Sequence, residues 1–141
     1  HLRWQLTDSR RTPATISRSL ARLVAPQVCV VPHPDTDRGW LTEALAAAKI
    51  VWVTEDSVSM LYEALSSGAA VGLLCLPRRG SNRITTGIDA LVDAGLITAY
   101  EAWAKGAPLR APTPPLAEAA RCAQMIVERW ELGPARVKAC R

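Results

Sequence analysis

The sequence contains no phenylalanine, and aromatic residues make up only 5% of its 141 residues. A large aromatic core is therefore disfavoured. Hydrophobic residues nevertheless account for 49% of the chain, and a chain of this length can form one compact domain that buries roughly 70% of its unfolded surface. The apolar residues are mostly Ala, Leu and Val, which favours close packing of helices on a sheet in a globular, ordered chain.

The four cysteines form no Cys-x-x-Cys pair and no Cys/His cluster with metal-ligand spacing. We therefore expect no structural zinc, no other metal and no cofactor. Cys29 and Cys75 lie in apolar runs, so we expect them to be buried free thiols, as suits a reducing cytoplasm. The sequence also lacks a secretory signal and an apolar segment of membrane length. These features predict a cytoplasmic protein without a transmembrane segment, and they leave peripheral contact with a membrane open.

Positive charge is moderate, with a formal net charge of +4 at pH 7, but the arginines are clustered. The two clusters consist of Arg10, Arg11, Arg18 and Arg22, and of Arg78, Arg79 and Arg83. Basic residues near loop ends suit a phosphate or another anionic ligand, and solvated surface charge explains them equally well. Nucleic acid is not an expected partner, because no interleaved basic and aromatic residues accompany the charge.

Apolar runs alternate with amphipathic segments along most of the chain. Strands are predicted at 2–7, 28–34, 50–54, 70–77 and 96–99, and helices at 14–25, 37–49, 57–67, 84–94, 100–104 and 116–132. Thr12 is predicted to cap the first helix, and Gly68 is predicted to end the third. Strand, turn and helix repeats of this size require parallel pairing through right-handed crossovers. We therefore predict an α/β fold with a Rossmann-like, doubly wound parallel sheet.

A proline-rich stretch divides the predicted domain from the end of the chain. Residues 105–115, KGAPLRAPTPP, are predicted to be a connector without regular structure. The segment before it, 1–104, forms the predicted Rossmann-like domain, and 116–141 forms a C-terminal helix and tail. The helix has a strong amphipathic pattern that includes Ala120, Met125, Ile126 and Trp130.

Polar segments follow three of the predicted strands: SRRTP after the first, TEDSVS after the third and PRRGSNR after the fourth. In doubly wound sheets, ligands bind at the carboxyl ends of the strands. The unpaired N–H groups at a helix start attract anions, and nearby hydroxyl and guanidinium groups add directed donors. We therefore predict a shared phosphate or pyrophosphate. Its donors would come from Ser9, Thr12, Ser57 and Ser59 and from Arg10 and Arg11.

Simpler explanations exist for several of these residues. Asp56 or Ser57 of DSVS could simply cap the helix that follows. Glu63, further along the same predicted helix, is placed to accept two hydroxyls of a ribose, and a surface acid would look the same. His33, between two prolines, indicates a constrained loop more than a catalytic group. The chain has no Walker loop, no GxGxxG and no Ser/His/Asp constellation, so we assign no catalytic residue.

TDSRRTP, VTEDSVSMLYEA and SGAAVGLLCLP together resemble the C-terminal half of the mitochondrial fission ELM family, over roughly residues 2–103. That family is similar to nucleotide-sugar glycosyltransferases of the GT-B type. The resemblance implies the C-terminal, donor-binding domain of a GT-B-type fold, with the diphosphate of a nucleotide sugar held between the SRRTP and DSVSM loops. It implies that one loop binds the phosphates, that a second segment forms the other wall of the phosphate site, and that Glu63 contacts the ribose. The loop would consist of Ser9, Arg10, Arg11 and Thr12, and the wall of Asp56, Ser57, Ser59 and Met60.

Glu55 and Glu63 also have the spacing of the glutamate pair seen in some retaining transferases, although Glu55 precedes the predicted helix. The resemblance starts at the first strand of the second GT-B domain, so we expect the acceptor-binding N-terminal domain to be missing. GT-B enzymes usually place the catalytic base in that domain. We therefore expect a domain fragment that binds the donor, is inactive by itself and has the missing domain as its partner.

The final helix resembles the segment that returns to the first domain in GT-B proteins, which implies an exposed apolar stripe. The alternative function is a noncatalytic adaptor that retains the fold and binds protein partners, as the association of plant members with the fission machinery implies. Fold alone does not decide between the two functions.

Overall fold

The computed structural model describes residues 2–23, 25–37, 39–78, 80 and 82–130. Strands and helices alternate through most of these residues. The strands are β1 (Trp4–Thr7), β2 (Val28–Val31), β3 (Ile50–Thr54), β4 (Ala70–Leu74) and β5 (Ile97–Ala99). The helices are α1 (Ala14–Ala21), α2 (Trp40–Ala47), α3 (Val58–Ser66), α4 (Arg83–Asp93), α5 (Tyr100–Ala104) and α6 (Glu118–Arg129). A short 3-10 turn, His33–Asp35, precedes α2.

The chain divides into two compact units, residues 1–44 and residues 45–141, which we call unit 1 and unit 2. In unit 1, β1 and β2 are parallel, with Trp4 opposite Val28. In unit 2, β4 lies between β3 and β5, and both pairs are parallel. A helix separates each pair of parallel strands along the chain, which is the arrangement that the alternating pattern predicts. The prediction of a Rossmann-like α/β fold is confirmed.

The hydrophobic core lies in unit 2, on one face of its sheet. Alternate side chains of a strand point to opposite faces, and the register aligns Val53 with Leu73 and Val71 with Ile97. These four side chains are buried, and so are Leu61 and Leu65 of α3 and Ile88 and Leu91 of α4. Right-handed crossovers from β3 to β4 and from β4 to β5 run in the same direction and place α3 and α4 on the same face of the sheet. The two helices therefore cover the face that carries these buried strand residues.

The opposite face of the unit 2 sheet carries an aromatic cluster. Trp52 lies opposite Gly72 in the register, and a Cβ atom at Gly72 would lie 2.3 Å from the Trp52 ring. Only glycine therefore allows the ring to lie this close to the central strand. Tyr100 and Trp103 of α5 approach Trp52 edge-on, with ring centroids 5.8 and 5.2 Å away. Both remain partly open to solvent, so the cluster is a surface feature and not a second core.

Several predictions of local structure are confirmed. β3 and α5 have the predicted bounds. Gly68, which follows the C-cap residue Ser67 of α3, has a φ of +82°, the left-handed conformation that glycine adopts most easily at the end of a helix. Residues 105–117 contain neither helix nor strand. The side chains of Met125, Ile126 and Trp130 on α6 are 57%, 49% and 62% exposed, which confirms the expected apolar stripe.

The expected burial of the cysteines is wrong. Cys29 and Cys75 are both exposed free thiols. Cys29 lies in β2, whose two-stranded sheet buries none of its described residues completely. The predicted strand at 70–77 ends at Leu74, so Cys75 already lies in the loop that leaves the sheet.

Candidate functional site

The SRRTP loop follows β1 and is folded by its own hydroxyl groups. The Ser9 backbone N–H donates to Thr12 Oγ1 at 2.9 Å, and the two hydroxyl oxygens lie 3.2 Å apart. The Arg11 backbone N–H donates to Ser9 Oγ at 3.3 Å. The prediction that Thr12 caps α1 is therefore wrong. Pro13 takes the N-cap position, and no side chain caps the helix. Because Thr12 Oγ1 bonds within the loop, the helix start keeps donors available for a ligand.

A groove of about 440 Å³ opens beside this loop in unit 1. Ser9, Arg10 and Thr12 of the loop contribute to its lining, together with Arg18 of α1 and His33. Apolar residues of α1 and β2, among them Leu20 and Val30, complete the walls. Arg11, the remaining residue of the predicted phosphate loop, is exposed. Cationic and hydroxyl groups over an apolar wall are suited to an anionic organic ligand.

Asp8, which was not among the predicted site residues, connects the loop to the rest of unit 1. Its carboxylate accepts a hydrogen bond from the backbone N–H of His33 at 2.7 Å and another from the Ser17 hydroxyl. The Ser17 hydroxyl, followed by the His33 N–H, holds the pKa of Asp8 below its usual value. Asp8 therefore joins the ends of β1 and β2 to the first turns of α1. An aspartate directly after a strand was the only available signal.

The DSVSM loop follows β3 in unit 2 and leads directly into α3. Ser57 occupies the N-cap position, but its side chain makes no capping bond. Its backbone N–H donates instead to the Thr54 carbonyl at 3.0 Å. Asp56 and Ser59 are exposed, and Met60 is half-buried. Helix capping by a side chain, the simpler explanation of this sequence, is therefore not what the structure shows.

Glu63 lies on α3 with its side chain exposed. Its backbone carbonyl accepts the Ser67 N–H at 3.0 Å, a bond of the last helical turn. The exposed carboxylate is available to a ligand, and the structure assigns it no partner among the described residues.

The TEDSVS and PRRGSNR segments meet through Glu55. This carboxylate is buried, with Glu55 only 5% exposed. It accepts the Leu76 backbone N–H at 3.1 Å and forms an ion pair with Arg78. Arg78 also donates two hydrogen bonds to Asp89 of α4, at 3.0 and 2.7 Å. These three side chains form what we call the Arg78 network.

The Arg78 network changes the expectation for two sequence features. Because Glu55 binds Arg78 and the Leu76 N–H, it does not act with Glu63 as a pair of free glutamates. Asp89 raises the pKa of Arg78 most, followed by Glu55, and Arg78 in turn lowers the pKa of Asp89. Arg78 and Asp89 are therefore both charged at neutral pH. Arg79, predicted to be part of this basic cluster, lies outside the described residues.

The two predicted phosphate loops belong to different units: SRRTP to unit 1 and DSVSM to unit 2. Each follows a parallel strand and precedes a helix that no side chain caps. A diphosphate held by both loops stays a prediction.

Within the described part of the chain, no three His, Cys, Asp or Glu side chains come close enough together to hold a metal ion. The helices of those residues also fall short of the length and apolar character that crossing a membrane requires.

A family model described as "Mitochondrial fission ELM1" matches residues 1–130, which include every helix and strand that the structure describes. No curated protein and no solved structure matches the chain significantly.

Proposed function

This chain belongs to the mitochondrial fission ELM1 family, and we propose that it is the donor-binding domain of a GT-B-like glycosyltransferase. Its ligand would be a nucleotide-diphosphate sugar whose diphosphate is bound by the SRRTP and DSVSM loops. One observation carries the proposal: α3 starts at the carboxyl end of a parallel strand, and no side chain caps it. Free N–H groups at such a helix start bind phosphate oxygens and stabilise their negative charge.

The side chains of the two loops fit a nucleotide ligand in separate ways. Ser57 and Ser59 supply hydroxyl groups for phosphate oxygens. Arg10 and Arg11, both exposed in unit 1, supply guanidinium groups that bind phosphate through paired hydrogen bonds. Glu63 supplies an exposed carboxylate for the ribose hydroxyls. We assign the acceptor and the general base to the N-terminal domain of a complete GT-B fold.

Calorimetric titration with uridine and guanosine diphosphate sugars tests the proposal. Arg11→Ala is expected to weaken pyrophosphate binding roughly tenfold, since hydrogen bonds to charged groups contribute about 1.5 kcal/mol or more. The same variant is expected to change nucleoside binding much less. Glu63→Ala is expected to weaken both the nucleoside and the sugar nucleotide. Arg22→Ala removes an exposed arginine at the other end of α1 and serves as the control for general loss of charge.

Two outcomes contradict the proposal. One is indifference of the chain to every nucleotide sugar tested. The other is an equal loss of affinity for all ligands in Arg11→Ala, Glu63→Ala and the Arg22→Ala control, because general charge or folding would then explain the losses.

A second candidate function, a noncatalytic adaptor for protein partners, is favoured by the exposed apolar stripe of α6. An adaptor would keep its partner in a pull-down when Arg11 and Ser57 are both changed to Ala. It would lose the partner when Ile126→Asp places a charge within the stripe. The reverse pattern would favour ligand binding.

A further inference from the structure

The two carboxylates of the Arg78 network differ in their exposure to solvent. The Glu55 side chain is 6% exposed, whereas the Asp89 side chain is 50% exposed. Removing the partner of a buried charge is strongly destabilising, because the charge stays buried and uncompensated. An exposed carboxylate that loses its partner is simply hydrated, at little cost. Asp89 is therefore the partner that can leave Arg78, and Glu55 is the one that holds the guanidinium in place.

The geometry of the Asp89 contact is the one that an anion would use. Arg78 donates to Asp89 through its two terminal nitrogens, at 3.0 and 2.7 Å. Phosphate oxygens bind this edge of a guanidinium group in the same paired fashion. A phosphate dianion also carries more charge than the single carboxylate that it would replace.

Arg78 lies at the same end of the unit 2 sheet as the start of α3, because β3 and β4 are parallel neighbours. Arg78 follows β4, the central strand of the unit 2 sheet, at the carboxyl edge where ligands of parallel sheets bind. Its partner Glu55 precedes the N-cap residue Ser57 by two positions. The guanidinium group is thus anchored to the same corner that supplies the free N–H groups of α3.

We propose that Arg78 is an anion-binding residue whose site Asp89 occupies in this structure, and that a phosphoryl group displaces Asp89 on binding. The inference rests on the proposed function for the identity of the ligand, a nucleoside diphosphate or its sugar derivative. Glu55 keeps its ion pair with Arg78 throughout, and the Asp89 carboxylate moves into water. Asp89 therefore acts as a competitor that limits the affinity of the site.

Removing the competitor should increase affinity, which no purely structural role of the ion pair predicts. Asp89→Asn keeps the size of the side chain and removes its charge. From the modest strength of exposed ion pairs, we expect it to bind inorganic pyrophosphate and uridine diphosphate roughly twofold to fivefold more tightly than the parent chain. Asp93→Asn, on the same helix four residues later and also exposed, is the matched control. If contact with Arg78 is the cause, the gain in affinity of Asp93→Asn should be less than about half of the gain of Asp89→Asn.

A second pair of variants tests whether the gain in affinity depends on Arg78. Arg78→Lys keeps the positive charge but removes the paired geometry, so adding Asp89→Asn to it should give little further gain. Thermal unfolding of each variant, followed by circular dichroism, shows that the variants compared are folded. Unchanged or weaker pyrophosphate binding in folded Asp89→Asn overturns the inference, and so does an equal gain in Asp93→Asn.

The two proposals fail in different ways. If the parent chain binds nucleotide sugars, and Asp89→Asn binds them with the same affinity, the proposed function stands and the inference falls. If Asp89→Asn gains affinity for pyrophosphate while no nucleotide or nucleotide sugar binds, the anion site stands and the proposed function falls. If neither chain binds any of these ligands, both fall.

Discussion

Units 1 and 2 share one plan, parallel strands joined through helices, but different forces set their geometry. Every buried hydrophobic residue of the described chain lies between Leu45 and Ile97, in unit 2. All described residues of unit 1 are at least partly exposed. Unit 1 is instead organised at its strand ends, where Asp8 binds the Ser17 hydroxyl and the His33 N–H. Apolar burial thus determines unit 2, and polar contacts determine the described loop geometry of unit 1.

The largest expected difference between the units comes from truncating apolar side chains. Leu61 of α3 is fully buried, so Leu61→Ala should lower the free energy of unfolding by about 2–5 kcal/mol. Leu6 of β1 is half-buried, and Leu6→Ala should cost less than about 1 kcal/mol, since little apolar area is lost. Urea unfolding followed by circular dichroism measures both values. Equal losses would show that unit 1 depends on apolar burial as much as unit 2 does.

The second expected effect tests whether tight packing extends to the aromatic face of the unit 2 sheet. Gly72→Ala forces the Trp52 ring away from the central strand and should destabilise the chain by about 1–3 kcal/mol. Gly87, in the middle of α4, has no heavy atom within 4 Å of the position that a Cβ would take. Gly87→Ala should therefore stabilise the chain by about 0.5–1 kcal/mol.

Thermal unfolding compares these two substitutions directly. Adding Trp52→Leu to Gly72→Ala should recover part of the loss, because the smaller side chain leaves room for the new methyl group. No recovery would mean that the ring is not the source of the destabilisation.

The smallest expected effect concerns the polar contacts of unit 1 and their dependence on pH. The pKa of Asp8 is lowered in the folded chain, so its contribution is fully present above the unfolded value, near 3.9, and is lost as pH falls through the lower folded value. The contribution should be less than about 1 kcal/mol, because the carboxylate is partly open to solvent. Hydrogen exchange of the β1 and β2 amides at pH 6 should be faster in Asp8→Asn than in the parent chain. Unit 2 amides should be unaffected, and an equal change there would contradict the distinction between the units.

Periodicity and turn residues were sufficient to predict the elements of the chain and their parallel pairing. The pattern of α3 and the glycine after it required no tertiary information, because Leu61, Leu65 and Gly68 act within one helix. The cysteines show the limit of this reasoning. The apolar residues around Cys29 and Cys75 led us to predict that both are buried. Whether they are buried depends on how many strands flank each cysteine and on where its strand ends, which local sequence does not show.

The candidate site was predictable in outline only. Strand ends indicated where SRRTP, DSVSM and PRRGSNR would lie, since sequence order fixes which end of a parallel strand each loop follows. The partners of individual side chains were not predictable. Arg78 lies 23 residues from Glu55 and 11 from Asp89, and no local pattern indicates that one guanidinium group joins them. The same holds for Asp8 and His33, which lie 25 residues apart.

The aromatic cluster on unit 2 gives the protein an optical property of its own. The Trp52, Tyr100 and Trp103 rings lie within 6 Å of one another, centroid to centroid, at fixed and mutually tilted angles. Electronic transition dipoles couple to each other at such distances and angles. Coupled rings give stronger circular dichroism than isolated rings do. We therefore expect the near-ultraviolet spectrum to be sensitive to the packing of this cluster in unit 2, so that an event that rearranges α5 should change the spectrum without any attached dye.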